Sequence, residues 1–276
     1  MLFNRKEEID TTTRWSALMV FIGVLVFNGL AGSSTVLGGT DTAGVSNAYP
    51  TLFTPAGTTF AIWGVIYALL GVFCLYLYGA GRLKRTTVKP EQLNTVMQWF
   101  TLSSVLNVLW IITWQYKVLW ASVICIVGLL ACLAKIATVM RESRPKGWEY
   151  IATKLPFSVY FGWVTVATIA NISVWLVSMN WDGFGIRPGV WTVGMLLVGA
   201  LLGIFAALRN SDWAYLAVFI WAYAGILLNH LAPNGYNGSY PTIIVTTSIL
   251  LAIFSSLFLH KTADTLLSRI DAKSRR

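Results

Sequence analysis

TTFAIWGVIYALLGVFCLYLYG, residues 58–79, contains no acidic, basic, amide or proline side chain. A helix of that length crosses the roughly 30 Å hydrocarbon core of a bilayer, for which about 20 apolar residues suffice. Seven further stretches of this kind follow or precede it, near residues 15–32, 96–116, 119–140, 155–179, 190–208, 213–231 and 242–260. The fold class read from them is all-α, a polytopic transmembrane bundle of about eight spans. Composition agrees. Of 276 residues, 56% are hydrophobic and 11% charged, whereas a soluble domain carries roughly a quarter charged residues. Mean hydropathy is +0.66. No segment between spans is long enough for a soluble domain, and lipid is the expected partner of the surface.

The 20 Lys and Arg residues fix an expected orientation. With the N-terminus on the cytoplasmic side, the outer loops hold only Lys117 and Arg187. The inner segments hold all the others: Arg5, Lys6 and Arg14; Arg82, Lys84, Arg85 and Lys89; Lys135, Arg141, Arg144, Lys146 and Lys154; Arg209; and Lys261, Arg269, Lys273, Arg275 and Arg276. This is the positive-inside pattern for an even number of spans with both termini cytoplasmic. It also accounts for the net charge of +9 without a nucleic-acid partner. MLFNRKEEIDTTTR is polar and lacks the cleavage signature of a signal peptide.

Several chemistries have no support. No acidic residue falls at mid-span, as ion-coupled transport through buried carboxylates would need. Lys135 and His260 lie at inner span ends, where a long stem snorkels, and His230 near an outer end reads as structural or interfacial. Cys74, Cys125 and Cys132 lie in apolar runs without metal-ligand spacing. There is no Walker A motif, no HExxH and no Ser-His-Asp grouping. No catalytic residue and no metal ligand is assigned.

The distinctive feature is 13 Trp residues. Trp15, Trp120, Trp148, Trp181, Trp191 and Trp213 lie near span ends, as an interfacial belt requires. Trp63, Trp99, Trp110, Trp114, Trp163, Trp175 and Trp221 lie deeper or beside polar groups. Helical spacing gathers some of them. Phe60, Trp63, Tyr67 and Gly71 share one face of the second span. Asn107 and Trp110 share a face of the third, and Trp163, Ala167 and Asn171 a face of the fifth. A buried amide in lipid needs a partner. Two readings stand side by side: interhelical glue, and the lining of a cavity for a flat, apolar ligand with a few polar groups.

The long first loop, AGSSTVLGGTDTAGVSNAYPTLFTPAG at 31–57, reads as irregular structure. Tyr49, Leu52 and Phe53 would fold it back as a lid; otherwise it is a flexible connection. The Pro156 ring belongs to the first turn of the fifth span or marks a kink. The third and fourth spans should form a tight hairpin at Lys117.

These residues carry a resemblance to the TspO/MBR family, the tryptophan-rich sensory proteins that include the mitochondrial translocator protein. Thr54-Pro55 followed by Phe60, Trp63, Tyr67 and Gly71 resembles its pattern after the first loop. Asn107-Val-Leu-Trp110 is similar to its third-helix Asn-x-x-Trp. Trp163, Ala167 and Asn171 are similar to its fifth-helix pattern. The resemblance covers residues 14–180. It divides the chain into a tail at 1–13, a five-helix module at 14–180, three added helices at 181–260 and a basic tail at 261–276. The family usually has five helices. Pro156 lies three residues further from Trp163 than in the family pattern, and the lid carries less Trp and Pro.

The resemblance implies a cavity for a hydrophobic aromatic or polycyclic ligand, porphyrin- or sterol-like, used for sensing, sequestration or transfer. The implied ligand-binding residues are Phe60, Trp63, Tyr67, Asn107, Trp110, Trp163, Ala167 and Asn171. No covalent cofactor is implied, although a bound tetrapyrrole or sterol-like lipid is. Uncoupled transport of such a ligand, or a structural role in a membrane complex, are the alternatives. In the added helices, Gly199 and Gly203 form a GxxxG pair suited to intramolecular packing or to a homodimer. Asn237-Gly238-Ser239 has the form of a glycosylation sequon.

Overall fold

The computed structural model describes residues 9–32, 36–79 and 86–274. Ser33, Ser34 and Thr35 of the first loop lie outside the described residues, as do Arg5, Lys6, Arg82, Lys84, Arg85, Arg275 and Arg276 of the charge pattern. Eight helical segments are long and apolar enough to cross a membrane. They are α1 (Thr11–Gly32), α3 (Ile62–Gly79, entered through the 3-10 turn Gly57–Ala61), α4 (Pro90–Gln115), α5 (Leu119–Ser143), α6 (Leu155–Ser178), α7 (Pro188–Asn210), α8 (Trp213–Leu231) and α9 (Pro241–Ser274). The protein is an all-helical, multi-pass integral membrane protein.

Helices α4 and α5 form the expected hairpin, turning at Lys117 with a left-handed φ of 58°. Its turn is closed by the Val118 amide donating to Thr113 O at 2.8 Å. Helix α4 packs on α1 and α5, while α6 is central and touches α3, α5, α7 and α8. At its first turn lies an aromatic knot in which Phe73, Phe100 and Phe157 meet edge to face at 4.9–5.6 Å.

Three features differ from the sequence reading and one alternative is decided, each for a local reason. The first loop is not wholly irregular: α2 (Thr42–Ala48) forms within it, its N-cap Asp41 accepting from the Gly44 amide at 2.6 Å. Helix α4 begins at Pro90, well before its apolar run, because Pro is favoured in a first turn and Lys89 N donates to Gln92 Oε1. Pro156 does sit in the first turn of α6, and a π-turn at Tyr150–Lys154 precedes it. The missing Pro156 N–H leaves the carbonyl four residues earlier without its helical donor, and Leu155 N bonds instead to Tyr150 O. Helix α9 runs past residue 260 to Ser274, since hydropathy marks where apolar surface stops, not where the backbone stops being helical.

The last three helices are fastened by close approach. A Cβ on Gly199 would lie 2.7 Å from Tyr223 Oη, and one on Gly203 would lie 2.6 Å from the Phe219 ring. Both glycines therefore face α8 within the same chain. Asp212 caps α8 through the Tyr215 amide and accepts from Ser158 Oγ at 2.5 Å. Burial pushes the Asp212 carboxyl above its usual range, opposed by the Ser158 hydrogen bond and by Lys154.

Candidate functional site

The sequence-marked residues converge where α3, α4 and α6 meet under the first loop, at what we call the lid end. The 3-10 turn presents Phe60, and one and two helical turns later come Trp63 and Tyr67. The Trp63 ring stacks on Tyr67 (5.7 Å, 20°) and on Trp110 (5.8 Å, 29°), and Trp110 stacks in turn on Trp114. Trp163 meets both Trp63 (6.3 Å, 87°) and Phe60 (5.7 Å, 86°) edge-on. Offset stacking and edge-to-face contact are the arrangements that ring quadrupoles favour.

The two amides stitch helices together. Asn28 Nδ2 of α1 donates to Asn107 Oδ1 at 2.9 Å, and Asn107 Nδ2 donates to Tyr160 Oη of α6 at 3.0 Å. Trp110 Nε1 of α4 donates to Asn171 Oδ1 of α6 at 2.8 Å, and Asn171 Nδ2 donates to Ser122 Oγ of α5 at 2.9 Å. Both amides are essentially fully buried. The interhelical reading thus holds for Asn107 and Asn171. Their donors and acceptors are engaged by neighbouring helices; Asn107 does not border the open space here, while Asn171 borders it beside the aromatic rings and Ala167.

That space is divided. A cavity of about 40 Å³ lies among Trp163, Ala167, Ala170, Asn171, Val174 and Phe60. A second, of about 220 Å³, lies among Asn28, Asp41, Ala43, Tyr67 and Ile111. Thr42, Phe60, Trp63 and Trp110 line both, and the two indoles with Phe60 form the partition. Each is below the 300–1,000 Å³ of ordinary ligand sites. Two donors in this region have no partner: Trp163 Nε1, on a ring only 2% exposed, and Tyr67 Oη. A buried polar atom left unpaired costs about 1–3 kcal/mol, so a ligand acceptor reaching Trp163 Nε1 would recover part of that.

The roof is the first loop, and the added helices hold it down. Trp114 Nε1 donates to Thr42 O at 3.1 Å and Gln115 Nε2 to Ala31 O at 2.9 Å. From α8, Asn229 Nδ2 donates to Thr54 O at 2.9 Å and Trp221 Nε1 to Thr59 O at 2.9 Å. His230 Nε2 lies 2.9 Å from Leu52 O. A carbonyl only accepts, so Nε2 carries the proton. The His230 ring stacks on Tyr236 (4.7 Å, 24°), whose hydroxyl donates to Thr51 O. Burial raises the Tyr236 phenol above its usual range, so it stays a donor. Phe53 and Leu52 are buried and Tyr49 half-buried, so the loop is folded back as a lid.

Sequence reasoning missed Tyr160, Ser122 and Thr42, and assigned Asn229 no role. Tyr160 and Trp163 lie three apart on one helix, a signal the pattern offered. No signal linked α8 to a loop some 175 residues earlier. Among the belt residues, Trp15, Trp120 and Trp148 are exposed as expected, while Trp221, read as deep, is 46% exposed and engaged only through its N–H. Among the described residues, no three His, Cys, Asp or Glu side chains lie close enough to hold a metal ion.

A family model described as TSPO-like protein matches residues 14–260, running beyond Trp181 through the last three spans. No curated protein and no solved structure matches the chain.

Proposed function

The chain belongs to the TSPO-like protein family, and on that premise we propose that it binds a flat, hydrophobic, porphyrin- or sterol-like molecule at the lid end, for sensing, sequestration or transfer. One observation carries the reading: Trp163 Nε1, buried and without a partner, beside an aromatic partition that separates two small cavities. Binding requires the Trp63 ring to swing aside, which joins the two spaces and opens stacking faces on Trp110 and Tyr67. The ligand then offers an acceptor to Trp163 and ring area to the stack. Asn107 and Asn171 act here as the frame that keeps α1, α4, α5 and α6 in register. We also place both termini in the cytoplasm, on the strength of the basic residues gathered in alternate loops.

Titration with protoporphyrin in detergent, followed by Trp fluorescence quenching, tests this. Wild-type protein should quench saturably, and Trp163→Phe, which keeps the ring and removes the donor, should weaken binding by about tenfold. Equal affinity in wild type, Trp163→Phe and Trp63→Ala would remove the site.

A further inference from the structure

A larger cavity, of about 450 Å³, lies on the opposite face of α6, between α6, α7 and residues 50–52 of the lid. Its floor is aliphatic: Ile169, Ile172 and Leu176 of α6 and Met195 of α7. Trp181 and Trp191 stand at its rim, 5.1 Å apart and tilted at 55°. The Trp191 ring is fixed by Nε1 donating to Gly183 O at 2.8 Å. It shares no lining residue with the two cavities beside Trp63.

The polar groups of this cavity are few and their character selects a ligand. Ser173 Oγ is spent on Ile169 O at 2.8 Å and on Met195 Sδ at 3.2 Å, and Thr192 Oγ1 on Pro188 O at 2.9 Å. Asp182 is the one charged residue in the lining, and no Lys, Arg or His joins it. Its Oδ1 accepts from the Phe184 amide at 2.9 Å, which leaves Oδ2 open. An anionic head would face this carboxylate with no cation in the lining to neutralise it. A cationic head would gain the carboxylate and the faces of two indoles. The volume falls in the range of small-molecule sites, and the lining is apolar with a single oriented charge at the mouth.

We propose that this cavity is a second binding site, for a molecule with an apolar chain and an amine cation at its head. The chain lies over Ile172 and Met195, and the cation sits at the rim between Asp182 and the Trp181–Trp191 pair.

The test uses the full chain in phosphatidylcholine nanodiscs and radiolabelled dodecyltrimethylammonium as the probe, with dodecanoate and dodecanol as unlabelled competitors. Wild-type protein should bind the probe saturably, one per chain, above the partitioning into empty nanodiscs. Met195→Trp, which fills the floor, should abolish saturable binding. Asp182→Asn, which keeps the cap and removes the charge, should weaken it by about tenfold. Protoporphyrin quenching should be unchanged in both variants, which separates this site from the aromatic one. Binding no greater than in empty nanodiscs, or equal binding in both variants and wild type, would overturn the site. Displacement by dodecanoate as readily as by unlabelled probe would overturn the choice of a cationic head. Ile172→Phe fills the same floor and serves if Met195→Trp does not fold.

Discussion

Helix α6 has two faces, and they end in opposite states. Towards α4 and α5 it carries Trp163 and Asn171, and the seam is closed by two interhelical amide networks and a run of stacked rings, leaving about 40 Å³. Towards α7 it carries Ile169, Ile172 and Ser173, with Ser173 bonded mainly to its own helix, and the seam opens into about 450 Å³. In lipid, apolar contact between helices gains little over contact with acyl chains, so hydrogen bonds and close small-residue packing decide which helices stay together. The closed seam has amide and indole links, whereas among the described residues the open one has only Ser173 Oγ donating to Met195 Sδ at 3.2 Å and the approach of Gly199 to Ile169. Helix α7 is held instead from behind, by Gly199 and Gly203 against α8.

The largest expected effect strikes the closed seam. Asn171→Ala strands the Trp110 indole and removes the amide that Ser122 Oγ accepts from, although that hydroxyl still donates to Leu119 O; it should cost about 1–3 kcal/mol, read as a lowered unfolding midpoint in detergent. A loss below about 0.5 kcal/mol would mean that the amide is not what closes this seam. Gly203→Leu drives a side chain into the Phe219 ring and should cost about 1–3 kcal/mol while leaving protoporphyrin affinity in place. Equal loss of ligand binding would tie α7 to the aromatic site more closely than this account allows.

His230→Phe keeps the stack on Tyr236 and removes the bond to Leu52 O. It should cost about 1 kcal/mol and raise amide hydrogen exchange across residues 49–56. Unaltered exchange there would show that the clamp from α8 is not what holds the lid. The smallest effect belongs to the open seam: Ile172→Phe fills empty space and should shift stability by less than about 1 kcal/mol, in either direction. A large loss would show the seam to be tighter than its volume suggests.

What the sequence could reveal follows the same division. The eight spans were legible because each needs only its own residues, and the α4–α5 hairpin because Lys117 alone separates two apolar runs. The faces that carry Trp63, Trp110 and Trp163 were legible because helical spacing sets a face, and their convergence was implied by the family resemblance. Interhelical bonding by Asn107 and Asn171 was one of two readings the sequence left open, but their partners were not legible, since a buried amide on one helix does not name them; Tyr160, Ser122 and Asn28 supply that. The lid clamp was invisible because His230, Asn229 and Trp221 bond to backbone carbonyls, which carry no residue signature. The large cavity was invisible as well, because it arises from side chains that fail to meet.

In the proposed ligand site of the aromatic seam, Trp163 is the open donor and Trp63 the door. Indole 15N–1H spectra of the 13 Trp residues, assigned by single Trp→Phe variants and recorded while protoporphyrin is added, test it most directly. The expected result is a saturable downfield shift of the Trp163 indole proton, as an unpartnered N–H gains an acceptor, with the Trp63 signal moving in step and Trp181 and Trp191 unmoved. Saturable binding with the Trp163 and Trp63 signals unchanged would contradict it.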